Sequence, residues 1–376
     1  MPEGHAYLSA SSSERWMNCP PSAKANAEIA ERASPYAIEG TSAHSLCEYF
    51  VLQALGRDCK DPTENLEYFN AEMQDAAESY RDFFMEQIAE AKKLCKDPVI
   101  CVEQRMDFSR FVPEGFGTAD GLIVTDGFLQ VIDMKYGVGV VVSAERNSQL
   151  SCYAVAGIDM YDGLYDIQKV KLSIFQPRRE HYDTWETSKD ELLLWAENEL
   201  APKAQLAFKG EGEFSAGEHC RFCKIKDTCR TRADYYLEIA KDAFKEPDTL
   251  DNYEIVALLP KLAGFVSWAE DVKEYALKQA IAGTKYPGFK VVEGRSIRRY
   301  TDEDAVAETV SKAGFNPFEQ KVIGVTAMTK MLGKKRFDEL LGSLTIKPQG
   351  KPALVPESDK RPEMHNVEEM FNDEKV

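Results

Sequence analysis

The chain has no apolar run long enough to span a bilayer, and its first residues, Met1-Pro-Glu-Gly-His5, have no basic stretch leading into an apolar one. No membrane association and no export are therefore expected, and the thiols are expected in a reduced, cytoplasmic setting. The cysteine count, nine, is odd, so a framework of disulfides is not expected either. Positive charge is short: 46 Lys and Arg stand against 63 Asp and Glu, a net charge of -17. That balance excludes a protein that coats nucleic acid nonspecifically, since phosphate binding is driven by lysine and arginine, but it leaves room for a local basic groove. There is no Walker sequence, which excludes a helicase motor within the chain, and no internal repeat. What is present is 376 residues at 44% apolar, enough for a sizeable core and a second module.

Two apolar runs, Asp120-Gly-Leu-Ile-Val-Thr125 and Phe128-Leu-Gln-Val-Ile-Asp133, flank Asp126-Gly127, a strong signal for a two-residue hairpin turn. With that loop, opposed residues have numbers that sum to 253, so Thr125 pairs with Phe128, Leu122 with Val131, and Asp120 with Asp133. Opposed residues share a face, which places Asp120, Leu122, Val124, Leu129, Val131, Asp133 and Lys135 on one side of the ribbon. Two carboxylates roughly 4.5 to 5.5 Å apart at their Cβ atoms repel, and a divalent cation would offset them. Oxygen ligands suit Mg2+ or Mn2+, which can lower the pKa of an attacking water and stabilise a phosphoryl group. Lys135 is placed to orient the water or to neutralise the transition state. The plain alternative is an exposed hairpin end that happens to carry acids and a lysine. Gln149 and Tyr153 lie one helical turn apart and can reach the same neighbour. His44 opens a helical pattern with Cys47, Phe50, Val51, Ala54 and Leu55, beside its buried stripe, with Glu48 one turn on. Glu103, on the strand before the hairpin, either faces the same place or is a solvated strand-edge residue.

In order along the chain, His44 in Gly40-Thr-Ser-Ala-His44, Asp120 after Gly117-Thr-Ala, Asp133-Met-Lys135 and Gln149-x3-Tyr153 resemble the PD-(D/E)XK nuclease superfamily, in its RecB-like exonuclease branch. The superfamily's proline is replaced by Ala119, as is usual in that branch. The resemblance implies a restriction-endonuclease-like α/β core, a central mixed sheet flanked by helices. It implies Asp120, Asp133 and His44, with the Met134 carbonyl, as ligands for Mg2+ or Mn2+, and Lys135 as the catalytic ammonium. Gln149 and Tyr153 would contact the site and the nucleic acid backbone.

Cys220-x2-Cys223-x5-Cys229 puts three thiols in ten residues, metal-ligand spacing that lacks a fourth ligand. Cys47, Cys95, Cys101 and Cys152 fall in helix or strand patterns and read as core, and Cys59 lies in a polar loop. Cys19, at a helix end stopped by Pro20 and Pro21, is the best fourth ligand. One cysteine before the nuclease core and three after it resembles the iron-sulfur domain of the AddB helicase-nuclease subunit and of CRISPR-associated adaptation nucleases. That resemblance implies a structural 4Fe-4S cluster. Zinc is the alternative, with His219 as a further ligand.

The elements expected are a helix at His44, a polar helix from about 64 to 93, a strand from 98, the hairpin, the Gln149 helix, a strand at 170–175, and a helix from 189 to 208. The nuclease module would then cover residues 1–240. A mainly helical module would follow over 241–346, with a long helix at 253–282 kinked by Pro260, a strand at 288–293 and helices near Ala305 and Thr326. Arg295, Arg298, Arg299, Lys330, Lys334, Lys335 and Arg336 form either a phosphate-binding stripe or a solvated face. Residues 347–376 would be an extended tail. The chain also looks similar to phage and prophage proteins. The function expected is a metal-dependent DNA exonuclease in phage recombination or DNA end processing, working with a single-strand annealing protein or another recombination partner. The alternatives are a noncatalytic DNA-binding or assembly subunit that keeps the fold, and an iron-sulfur redox protein.

Overall fold

Asp126 and Gly127 form a two-residue turn, and the sheet is built outward from it. The computed structural model describes residues 6–29, 34–242, 252–292, 301–318, 322 and 324–346. Its sheet has five strands in spatial and chain order, β1 (Val99–Asp107), β2 (Phe116–Thr125), β3 (Phe128–Met134), β4 (Lys169–Gln176) and β5 (His181–Ser188). The turn sets Thr125 opposite Phe128 and carries the register through Leu122 with Val131 to Gly121 with Ile132, as its length requires. Gly127 takes φ +76°, which glycine adopts without a Cβ clash. β1 and β5 pair antiparallel with their neighbours, whereas β3 and β4 are parallel and need a crossover. No strand was expected at β5, whose polar sequence leaves an edge of alternating half-buried and exposed residues.

Helices cover both faces. After two short helices, α1 (Ser13–Asn18) and α2 (Ser22–Ala27), come α3 (Pro35–Ala54) and α4 (Ala71–Leu94). Met73, Ala77, Tyr80, Phe84, Ile88 and Ala91 recur at helical spacing along α4 and, with Leu46 and Val51 of α3, pack on Ile123, Ile132 and Met134 of the sheet. The crossover is α5 (Ser148–Tyr165), capped by the Asn147 side chain and buried without a break from Leu150 to Ile158. It lies on Leu122, Val124, Leu129 and Val131 on the opposite face. Alternate residues of the hairpin therefore feed two separate cores. A capping box at Ser188 and Glu191 starts α6 (Lys189–Trp195), which passes through a π-type turn at Ala196–Leu200 into α7 (Ala201–Lys209).

α3 begins nine residues before His44, because Ser34 caps it and Pro35 occupies its first position. His44 thus sits in the middle of a helix and not at its head. Beyond the sheet come α8 (Arg230–Asp242) and α9 (Asn252–Ile281), and α9 runs through Pro260 as one helix. Asp271 of α9 binds Lys226 Nζ and Arg232 Nη1, each at 2.6 Å, and Trp268 stacks on Tyr236 at 5.8 Å. Those contacts put α9 in the first of two units, residues 1–291, so the boundary falls at 291 and not near 240. Residues 288–292 form no strand, and residue 293 lies outside the described residues. The second unit, residues 292–376, holds α10 (Glu303–Lys312), α11 (Val325–Leu332) and α12 (Lys334–Leu341), and buries Phe337. The arginines at 295, 298 and 299, the side chains at 330, 334 and 335, and the tail lie outside the described residues, while Arg336 is exposed.

Candidate active site and cysteine cavity

A regular strand would point Gly117 and Gly121 to the same side. In β2 they face opposite sides: a Cβ on Gly117 would lie 2.9 Å from the Tyr153 hydroxyl of α5, and one on Gly121 would lie 2.2 Å from the Phe84 ring of α4. The alternation slips between them. The slip coincides with Glu103 on β1, which has φ +49° and drops out of the ladder between the pairs Val102 with Gly121 and Gln104 with Ala119. A left-handed non-glycine residue costs roughly 1–2 kcal/mol, so the neighbourhood must hold Glu103 there. The shared face expected for Asp120 and Asp133 is broken by this slip. Asp120 turns to α3, where its Oδ1 lies 3.2 Å from His44 Nδ1, while Asp133 keeps to α5, where its Oδ1 accepts from Gln149 Nε2 at 2.9 Å.

The two halves stay in touch. Asp120 Oδ2 accepts the Met134 N–H at 2.7 Å, so Met134 reaches the site through its backbone while its side chain is buried in the core. Lys135 Nζ donates to Gln149 Oε1 at 2.8 Å and lies 2.9 Å from Asp133 Oδ2. That oxygen is buried and makes no hydrogen bond of good geometry, which leaves its lone pairs available to a cation. Tyr153, one turn beyond Gln149, is buried with its ring edge-on to Phe108, and burial raises its hydroxyl pKa. Ligand atoms of His44, Glu103 and Asp120 all lie within 4.8 Å of one another. That spacing suits one small cation, since opposite ligands of an octahedral Mg2+ at 2.0–2.1 Å stand roughly 4.2 Å apart.

Charge is stored in this group as protons. Burial lowers the affinity of His44 for its proton, but Asp120, Asp133 and Glu103 outweigh it and raise the pKa to about 9. Glu103 is raised to about 8, by burial and then by Asp120. Burial pushes Asp120 up, yet His44, the Met134 N–H and Lys135 bring it below its ordinary value, whereas burial leaves Asp133 above its own despite Lys135. Glu48, whose pKa burial raises, acts on Glu103 only through its charge. Glu103 is the residue that sequence reasoning left open, and no local signal marks a glutamate for the left-handed region.

A family described as "Protein of unknown function (DUF2800)" matches residues 5–362. The chain belongs to the DUF2800 family. Among solved structures, the one titled "Crystal structure of SSO0001" is 13% identical, over 50% of this DUF2800 chain and 95% of that one, at a TM-score of 0.22. No helix among the described residues is long and apolar enough to cross a membrane.

Four cysteines of this DUF2800 member, remote in sequence, line one cavity. Cys19, which follows α1, lines it with Cys220, Cys223 and Cys229, together with Arg15 and His219. Asn26 of α2 donates to Cys223 Sγ at 3.2 Å, and Ser215 N to Cys19 Sγ at 3.5 Å. Burial lowers the Arg15 pKa, against the opposing pull of Cys223 and Cys19. N–H donors placed on sulfur in this way orient a cysteine side chain. His219 Nε2 lies 3.0 Å from the Ser215 carbonyl oxygen.

Proposed function

We propose that this chain is a metal-dependent deoxyribonuclease, an exonuclease that hydrolyses phosphodiester bonds in phage recombination or DNA end processing. The observation that carries the reading is the gathering of His44, Glu103 and Asp120 within 4.8 Å beside Asp133, Lys135 and Gln149. His44, Asp120 and Asp133, with the Met134 carbonyl and Glu103, would hold Mg2+ or Mn2+. Such an ion, when bound, supplies Lewis-acid stabilisation of the phosphate and acidifies water. Lys135 is held by Asp133 and Gln149 at 2.9 and 2.8 Å, so its ammonium meets the developing negative charge without first being ordered. Gln149 bridges Asp133 and Lys135 and fixes their separation. Tyr153 supports β2 at Gly117, which keeps the Asp120 strand against α5.

A 4Fe-4S cluster bound by Cys19, Cys220, Cys223 and Cys229 is part of the proposal. The four cysteines line one cavity, and the choice of a cluster over zinc rests on the resemblance carried by their order along the chain, one before the sheet and three after it. The net charge of -17 limits phosphate contacts to local basic groups, which fits delivery of DNA by a single-strand annealing protein or another recombination partner.

The test uses anaerobically purified protein, Mn2+ and end-labelled DNA, linear and circular, beside Asp133→Ala and Lys135→Ala. Cleavage of linear DNA that both substitutions abolish, with iron content unchanged, is the expected result. Cleavage retained without Lys135 would remove it from the mechanism. No cleavage by the unaltered protein would assign the chain to the noncatalytic DNA-binding or assembly class.

A further inference from the structure

Between the candidate site and the cysteine cavity lies a surface that neither one uses. The segment joining Lys135 to Gln149 holds Val138, Val140 and Val141 out to solvent at 48, 37 and 51% exposure. The segment is pinned and not loose: Gln176 Nε2 donates to the Val140 carbonyl at 2.9 Å, Gln176 Oε1 accepts the Val142 N–H at 2.8 Å, and exposed Arg179 donates to the Val138 carbonyl. A Cβ on Gly139 would lie 3.7 Å from Arg221 Nη2, and the Arg221 guanidinium stands 5.9 Å from the Phe222 ring centroid. Phe222 is 81% exposed although Cys220 and Cys223 on either side are buried. Two guanidinium groups thus stand beside one hydrogen-bonded loop, and the second of them has an exposed aromatic ring next to it.

We propose that Arg179, the three valines, Arg221 and Phe222 form a track for an unpaired DNA strand at the candidate site, with Phe222 as a platform on which a base stacks. Guanidinium groups match phosphates, and an exposed ring matches the face of a base. In a duplex those faces are already covered by neighbouring bases, so a ring in this position selects single strands. Reach agrees with the assignment. Gly139 is four residues beyond Lys135, at most roughly 14 Å of extended chain. An unpaired strand would cross that distance within a few nucleotides. The track rests on the proposal that DNA is the substrate, and it names the form of DNA that is bound.

The test is fluorescence anisotropy of labelled oligo(dT), and of a blunt duplex of the same length, on the full-length protein with Ca2+ in place of Mn2+. Phe222→Ala should weaken single-strand binding roughly 5- to 100-fold, the usual range for losing one stacked base, and Phe222→Trp should restore it. Arg179→Ala, which does not line the cysteine cavity, should reduce the salt dependence by about one phosphate contact. Iron and zinc content of each variant separates loss of the track from loss of the cysteine site; where Phe222→Ala loses metal, Arg179→Ala alone decides. Unchanged single-strand affinity in metal-replete Phe222→Ala would overturn the proposal, as would equal restoration by Phe222→Leu or tighter binding of the duplex. If the unaltered protein cuts nothing but Phe222 still governs single-strand binding, the nuclease reading fails and the track stands.

Discussion

Binding of Mn2+ at His44, Glu103 and Asp120 should tighten steeply as pH rises from 6 to 9. His44, raised to about 9, and Glu103, raised to about 8, both hold protons at neutral pH. A cation must displace those protons, and each pH unit below a ligand's pKa weakens binding about tenfold. At pH 7 the competition amounts to about a hundredfold from His44 and about tenfold from Glu103, roughly a thousandfold together. Calorimetry at pH 7 in two buffers of different ionisation enthalpy should therefore find about two protons released per ion. Glu103→Gln should bring the figure to about one. Affinity that stays flat from pH 6 to 8, with no proton release, would refute the protonated pair. Stability of the cation-free protein should move in the opposite direction. His44 has a pKa above its unfolded value of 6.5, so its contribution is complete below 6.5 and is lost as pH rises through about 9. Glu103 is raised from 4.5, so keeping it in the fold becomes more costly as pH climbs from 4.5 to about 8. Thermal melts without metal should fall across that window, and saturating Mn2+ should flatten the fall.

Gly117→Ala would press a methyl group to 2.9 Å from the Tyr153 hydroxyl, and it should cost about 1–3 kcal/mol in urea unfolding. Tyr153→Phe in the same chain should recover part of that loss; an unchanged midpoint for Gly117→Ala would sink the argument. Asn26→Leu removes the donor to Cys223 Sγ at 3.2 Å and the acceptor of the Lys224 N–H at 2.7 Å. It should cost about 1–3 kcal/mol and lower the iron bound per chain, and full iron at unchanged stability would contradict it.

The hairpin was legible because one short loop sets the register: Asp126-Gly127 fixes every pair from Thr125 with Phe128 to Gly121 with Ile132. The helices at Gln149 and 189–208 were legible, the second interrupted by its π-type turn, and α9 was placed within a residue at either end. The phase slip at Asp120 was not, because it depends on the φ of Glu103 on a neighbouring strand, and nothing in a glutamate announces a positive φ. β5 was missed because His181-Tyr-Asp-Thr-Trp-Glu-Thr-Ser188 is polar at most positions and pairs along a sheet edge, where burial leaves little pattern. The start of α3 was readable in Ser34-Pro35 and was overlooked in favour of the apolar stripe after His44. The first unit extends past 240 because Asp271 and Trp268 reach back from a distant helix, a contact that sequence spacing does not encode.

The cysteine cavity also sets a clock. Cys229 follows Cys19 by 210 residues, and all five strands lie between them. At a synthesis rate of about 5–20 residues per second, Cys19 waits about 10–40 s for its last companion. The sheet can form during that wait, while the fourth thiol is still to be made. The cavity can therefore close only around a sheet whose strands have all been synthesised, and a chain arrested before Cys220 leaves Cys19 without its companions.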